Sequence, residues 1–224
     1  MAEQIQAGKR QRELFIKKST RVAASYLSRA KALSEIPDAA KPFFDVLENT
    51  YVKSVDIPKE GHRKTIGTLC VMVPSELVYA AGAMPVRLCS GSYTAYSIGD
   101  DYIPRDACPL VKAVMGFGQI GALPAFDNCA LLVAPVTCDC KKKLAGVIDS
   151  VKNTVPFHIP PLKREDADTE VFLRELYRLI PVLEKETGRE ITAQSLAEGI
   201  NMVGEAQYEM SEFLRFRKHD PALL

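Results

Sequence analysis

Residues 130–136 read Ala-Leu-Leu-Val-Ala-Pro-Val, an unbroken apolar run between Cys129 and Thr137-Cys138-Asp139. A strand with one wet face alternates apolar and polar residues, and a helix needs a longer stretch. A short continuous run therefore reads as a strand buried on both faces, and such strands belong to parallel sheets covered by helices. Its neighbours agree. Residues 65–73 are β-prone, Pro74 suits a first helical turn, residues 75–83 read as a helix of small and apolar residues stopping at Gly82, and 84–88 as the next strand. Strand, helix and strand with short connections is the unit of a parallel sheet. After residue 136 a helix is expected from about 140 to 151 and a further strand at 155–159, closed by Pro160-Pro161. The expected class is α/β.

The flanks are helical in pattern. Residues 1–35 place Leu14, Ala23, Leu27 and Leu33 at helical spacing among Lys and Arg, whose basic face is read as solvated. Residues 39–52 form a second expected helix, with Phe43, Phe44, Val46, Leu47 and Tyr51 toward a core. Residues 90–106 read as a polar loop, and Cys108-Pro109 opens a helix loosened by Gly116, Gly118 and Gly121. Toward the end, 165–186 carries the stripe Phe172, Leu176, Leu179 and Leu183. Thr192 is an N-cap candidate for a last helix with Leu196, Ile200, Val203, Met210 and Leu214 on one face. The expected organisation is an N-terminal helical segment (1–60), an α/β core (61–161) and a C-terminal helical segment (162–224).

Composition excludes several classes. The formal charge of +1 gives no global field for nucleic acid or an acidic membrane. No apolar run approaches the ~20 residues of a span, and residues 1–14 are too polar for a signal peptide. A cytoplasmic location is expected, where disulfides are rare. The six cysteines are then metal ligands, reactive thiols or small buried apolar residues. Cys89 follows an expected strand, Cys108 precedes a Pro at an expected helix start, and Cys138 closes the 130–136 strand. Ligands bind at such strand ends in open α/β sheets. Helix starts offer free N–H groups that favour thiolate and can donate to sulfide, and Arg105, Lys112 and Lys141-Lys142-Lys143 add positive charge. Cys70, in a strand, and Cys129, at a strand start, fit the buried-thiol reading. There is no paired C-x₂-C, and Cys138-x-Cys140 is too tight for the usual pair. None of the three histidines, His62, His158 and His219, is spaced to join a cysteine or carboxylate. Gly116-x-Gly118-x-x-Gly121 follows a helix start instead of a strand, so it is not a dinucleotide fingerprint. No Walker loop is present.

The segments VPSELVYAAGAMPVRLCSGS, IPRDACPLVKA and FDNCALLVAPVTCDCKKK resemble, in order and spacing, the N-terminal half of the 2-hydroxyacyl-CoA dehydratase / benzoyl-CoA reductase component family, most of all its double-cubane-cluster branch. The resemblance implies a Rossmann-like α/β fold with helical additions. It also implies an iron–sulfur cluster, 4Fe-4S or half of a double cubane, held by cysteines of two domains and reduced by an ATP-dependent iron–sulfur activator. In the dehydratases the electron generates a ketyl radical on a 2-hydroxyacyl-CoA; in the double-cubane branch small molecules are reduced. Carried over by motif, Cys108 and Cys138 are the metal ligands, Cys89 the third, and Cys140 stands where a small residue is usual. Cys70 has a counterpart in that branch and is read as structural. Family members are longer, so the resemblance further implies a second α/β domain or subunit that completes the site, and a dimer. The alternative expectation is a metal-free α/β scaffold that pairs with a second subunit.

Overall fold

The computed structural model describes residues 2–33, 36, 38–53, 63–89, 91–121, 123–162 and 166–218. His62, His219 and the expected helix boundaries at Glu35 and Glu165 lie outside these residues. The chain divides into two compact units, one made of Met1–His62 with Ser90–Asn128 and the other of Arg63–Cys89 with Cys129–Leu224.

The second unit holds the sheet. Strands β1 (Thr65–Thr68), β2 (Met84–Arg87), β3 (Leu131–Pro135) and β4 (Thr154–Phe157) are all parallel, in the order β2-β1-β3-β4. The chain is α/β, as expected. β3 is buried at every residue, which is why its sequence shows no alternation. Helix α3 (Ser75–Ala80) connects β1 to β2, and α7 (Asp139–Ile148) connects β3 to β4. Two long helices, α8 (Asp166–Thr187) and α9 (Ala193–Arg215), complete the unit. Leu179 and Leu183 of α8 are wholly buried with Ile66, Val78, Val133 and Phe157, and Phe172 and Leu176 pack on that cluster. The stripe read from the α8 sequence therefore faces the sheet. Thr192 caps α9 in a reciprocal capping box with Ser195.

The other unit is helical among its described residues: α1 (Ala2–Lys31), α2 (Lys41–Tyr51), α4 (Tyr93–Gly99), α5 (Pro109–Ile120) and α6 (Pro124–Asn128). Its core is Phe15, Ala95, Ala113 and Phe117, with the Phe15 and Phe117 rings edge to face at 5.4 Å. Helices α4 and α5 meet at glycines. A Cβ on Gly99 would lie 2.0 Å from the Lys112 carbonyl oxygen, and one on Gly116 would lie 1.9 Å from that of Ala95. These glycines permit close backbone approach; they do not loosen α5.

Several expectations are corrected. The stretch 90–106 is not a continuous loop, because the Ser92 side chain accepts from the Ala95 N–H and starts α4. The run 65–73 is strand only to Thr68; the Leu69 N–H still donates to the Val133 carbonyl, after which the chain leaves the sheet. On α1 it is Phe15 that is buried, while Leu14 is exposed, as is Leu33 two residues past the helix. On α2, Phe43, Val46, Leu47 and Tyr51 are exposed, since α1 covers only one side of that short helix. Ile200, Met210 and Leu214 of the α9 stripe are exposed as well.

Candidate functional site

Because the four strands are parallel, their C-terminal ends share one edge of the sheet. Cys70, Cys89 and Cys138 leave the sheet at this edge, after β1, β2 and β3 respectively. The reading of Cys70 as a strand residue is corrected here. It lies two residues past β1 at φ +78°, the one positive φ among non-glycine described residues. A β-carbon in that region is strained, and such residues concentrate at functional sites.

The strained turn aims donors at sulfur. The Cys70 N–H donates to Cys89 Sγ at 2.9 Å. Burial pushes the Cys70 thiol up, but N–H groups of Met72 and Val71 and the Lys141 ammonium outweigh it and hold the thiol below its ordinary range. Successive backbone N–H groups converging on one atom form an anion nest, so this turn favours the Cys70 thiolate more than an open chain does. Lys141 Nζ also donates to Thr137 Oγ1 at 3.1 Å, which links the Cys70 turn to the loop that carries Cys138.

Cys138 is exposed and is the N-cap residue of α7, with no side-chain capping bond of its own. Lys141, Lys142 and Lys143 occupy the start of the same helix. Cations there oppose the helix dipole, while Asp139 in the first turn complements it. Cys140 is half-buried within α7. Cys129 is buried, and its Sγ would lie 3.1 Å from a Cβ on Gly67, so it fills space under the sheet.

Cys108 belongs to the helical unit. It is exposed, at the N-cap of α5 ahead of Pro109, and follows the segment after α4 instead of a strand. Lys112, one turn along α5, is fully buried; its ammonium donates to Asp100 Oδ1 at 2.6 Å and to the Arg105 carbonyl. The hydrogen bond to Asp100 holds the lysine above its ordinary range against burial.

The structure thus joins Cys70 to Cys89 and links their turn to the Cys138 loop through Lys141. Among the described residues, no group of three or more His, Cys, Asp or Glu side chains is assembled for a metal ion. Thiols at strand ends and helix starts, beside N–H donors and lysines, are nevertheless the donor chemistry that an iron–sulfur cluster takes. The residue that sequence reasoning set aside is Cys70. Its sequence signals were a place near the end of a β-prone run and a counterpart in the double-cubane branch, and the positive φ that changes its role is not encoded in residue type.

In the sheet unit, an open cavity of about 690 Å³ lies between α3, β2 and α9. Tyr79, Arg87, Met210, Leu214, Arg215 and Lys218 are among its walls. Arg87 is two residues before Cys89. No described helix is long and apolar enough to cross a membrane.

Several known proteins are similar in sequence. The chain is 28% identical over 192 residues to YjiM of Escherichia coli (strain K12), named as a dehydratase subunit, covering 86% of this chain and 50% of that protein. It is 27% identical to the (R)-phenyllactyl-CoA dehydratase beta subunit of Clostridium sporogenes, covering 81% of this chain and 48% of the relative. It is 26% identical to one of the benzoyl-CoA reductase subunits of Thauera aromatica, covering 71% and 42%. The chain spans about half the length of the curated relatives it matches. The profile of the 2-hydroxyglutaryl-CoA dehydratase D-component family matches residues 70–224, well over half of the sequence. The chain belongs to the 2-hydroxyglutaryl-CoA dehydratase D-component family.

Proposed function

We propose that this chain contributes cysteine ligands to an iron–sulfur cluster in an enzyme that removes water from a 2-hydroxyacyl-CoA, or in a related ATP-dependent reductase. The observation that carries the proposal is the Cys70–Cys89 contact at the sheet edge, in a turn that favours thiolate. Cys89, Cys108 and Cys138 are the ligands, and Cys70 stands beside Cys89 as a further sulfur. When bound, the cluster supplies a low-potential one-electron donor. The chain's own residues do the rest: the N–H groups of Val71 and Met72 and the ammonium of Lys141 stabilise anionic sulfur, and helix starts at Cys108 and Cys138 present unpaired N–H groups.

Acyl-CoA or a small molecule as substrate, an ATP-dependent activator as electron source, a cytoplasmic setting and a dimeric assembly belong to this proposal. So does a second domain or subunit that holds the remaining ligands. Support comes from the relatives, whose names are those of dehydratase and reductase subunits, and from the share of their length that this chain leaves uncovered.

Anaerobic reconstitution with iron and sulfide tests the reading. About four irons per chain, a brown chromophore, and loss of both on Cys108→Ala or Cys138→Ala are expected. A colourless protein in the presence of its second subunit refutes it. The exposed apolar residues Met210, Phe213 and Leu214 of α9 favour a second reading, a scaffold that pairs with another polypeptide without metal. Stable complex formation with no iron bound is the outcome that selects it.

A further inference from the structure

Lys112 is the described lysine with no exposed side-chain surface at all. Lysines are almost never fully buried unless paired, so the partners show what the burial is for. Nζ donates to Asp100 Oδ1 at 2.6 Å and to the Arg105 carbonyl oxygen, and sits 4.9 Å from the centre of the Tyr96 ring. Tyr96 is on α4, Asp100 is the C-cap of α4, and Arg105 lies midway to Cys108. At the other end, the Lys112 backbone N–H donates to the Cys108 carbonyl at 3.2 Å. One residue therefore holds the segment 100–108 at its start, its middle and its end.

Helices α4 and α5 also meet through their backbones, away from the ammonium, with the Gly99 and Gly116 positions pressed on carbonyls of the opposite helix. What the helix contacts leave undetermined is the path of the segment between them. Within it, short turn bonds (Ile103 N–H to the Gly99 carbonyl, Ala107 N–H to the Pro104 carbonyl) and the buried Ile103 side chain supply local order. Across the segment, the Lys112 ammonium ties Asp100 to Arg105.

We infer that Lys112 is a positioning residue for Cys108, its buried ammonium fixing the segment 100–108 so that the thiol is presented at the start of α5 in one conformation. The inference rests on the proposed ligand role of Cys108 for its functional meaning, but its structural half stands apart from any metal.

The experiment is amide hydrogen exchange on the full chain, with peptides covering 100–108, α4 and α5, for wild type, Lys112→Met, Lys112→Arg and Asp100→Asn. Methionine keeps the volume and removes the charge. Exchange in 101–108 is expected to accelerate roughly tenfold or more in Lys112→Met, with α4 and α5 within about twofold of wild type. Lys112→Arg restores protection, because a guanidinium can still donate to both acceptors. Asp100→Asn, at a third-exposed position, gives an intermediate gain and serves where the methionine variant does not fold. Unchanged exchange in the segment, or equal acceleration across both helices, overturns the inference, the latter by showing a merely structural lysine. In parallel, anaerobic iron loading of Lys112→Met is expected to fall toward that of Cys108→Ala at a temperature where the variant is fully folded. Wild-type-level iron loading by Lys112→Met overturns the positioning role. Wild type that takes up no iron overturns the ligand reading instead, and the exchange result still decides what Lys112 does to the segment.

Discussion

At Cys70 the chain holds a β-carbon at φ +78°, a conformation that costs roughly 1–2 kcal/mol for an L-residue. The return is three N–H groups directed at two sulfurs: that of Cys70 toward Cys89, and those of Val71 and Met72 toward Cys70. The folded thiol is held below its ordinary value, so the stabilisation it brings is complete above the unfolded thiol value of about 8.5. It is lost as pH falls through the lower folded value. Alkylation of Cys70 by iodoacetamide is therefore expected to persist to lower pH than that of a cysteine in an unstructured peptide. Lys141→Ala is expected to shift that profile toward alkaline pH. Peptide-resolved mass spectrometry across a pH series measures both, and coincidence with the unstructured peptide contradicts the account. Residue type alone signalled none of this. A cysteine two places past the end of a strand looks the same in sequence as one inside it.

Elements show how packing selects among sequence patterns. The α4–α5 pair depends on two absent side chains, and Gly99→Ala or Gly116→Ala places a methyl group within about 2 Å of a carbonyl oxygen. Each is expected to destabilise the chain by at least ~2 kcal/mol, read as a lower urea midpoint; an unchanged midpoint means that the helices separate without cost. Between β4 and α8, Glu175 accepts from Arg178 and from the His158 N–H at 2.9 Å, while Arg178 also donates to the Pro156 carbonyl. The Arg178 hydrogen bond holds the Glu175 carboxyl below its usual range despite partial burial. Its contribution is present above the unfolded value of about 4.3 and is lost as pH falls through the lower folded value. Glu175→Gln is thus expected to cost about 1 kcal/mol at neutral pH, discounted because Arg178 is half-exposed, with wild type and variant converging in acid. Equal offsets at both pH values in chemical denaturation contradict that assignment.

On the scale of the molecule, the chain order and the compact units differ, because residues 90–128 join the N-terminal helices while the segments on either side of them build the sheet. A buried apolar cluster lies where α8 meets the sheet. Leu183→Ala is expected to cost about 2–5 kcal/mol. Met210→Lys with Leu214→Lys, on the open wall of the α9 cavity, is expected to stay within ~0.5 kcal/mol of wild type in the isolated chain. If the second polypeptide proposed above docks on this face, the same double variant abolishes complex formation with it, scored by analytical ultracentrifugation. A large loss of stability in the isolated double variant shows that the face is already covered.

The sequence by itself determined the α/β class, the doubly buried β3, the α8 stripe, the Thr192 cap and the presence of cysteines near turns and helix starts. Each of these depends on local spacing or on a capping residue, and so is written in neighbouring letters. It also carried the family, through motifs that fall largely within the matched residues 70–224. Only the tertiary structure decided that Cys70 and Cys89 touch, that Lys141 links their turn to the Cys138 loop, and that Lys112 is buried against Asp100 and Arg105. It also decided which apolar positions of α1, α2 and α9 are exposed. Those outcomes depend on which surfaces meet across long stretches of chain, and on a backbone angle imposed where a strand leaves its sheet. Neither is a property of residue type or spacing.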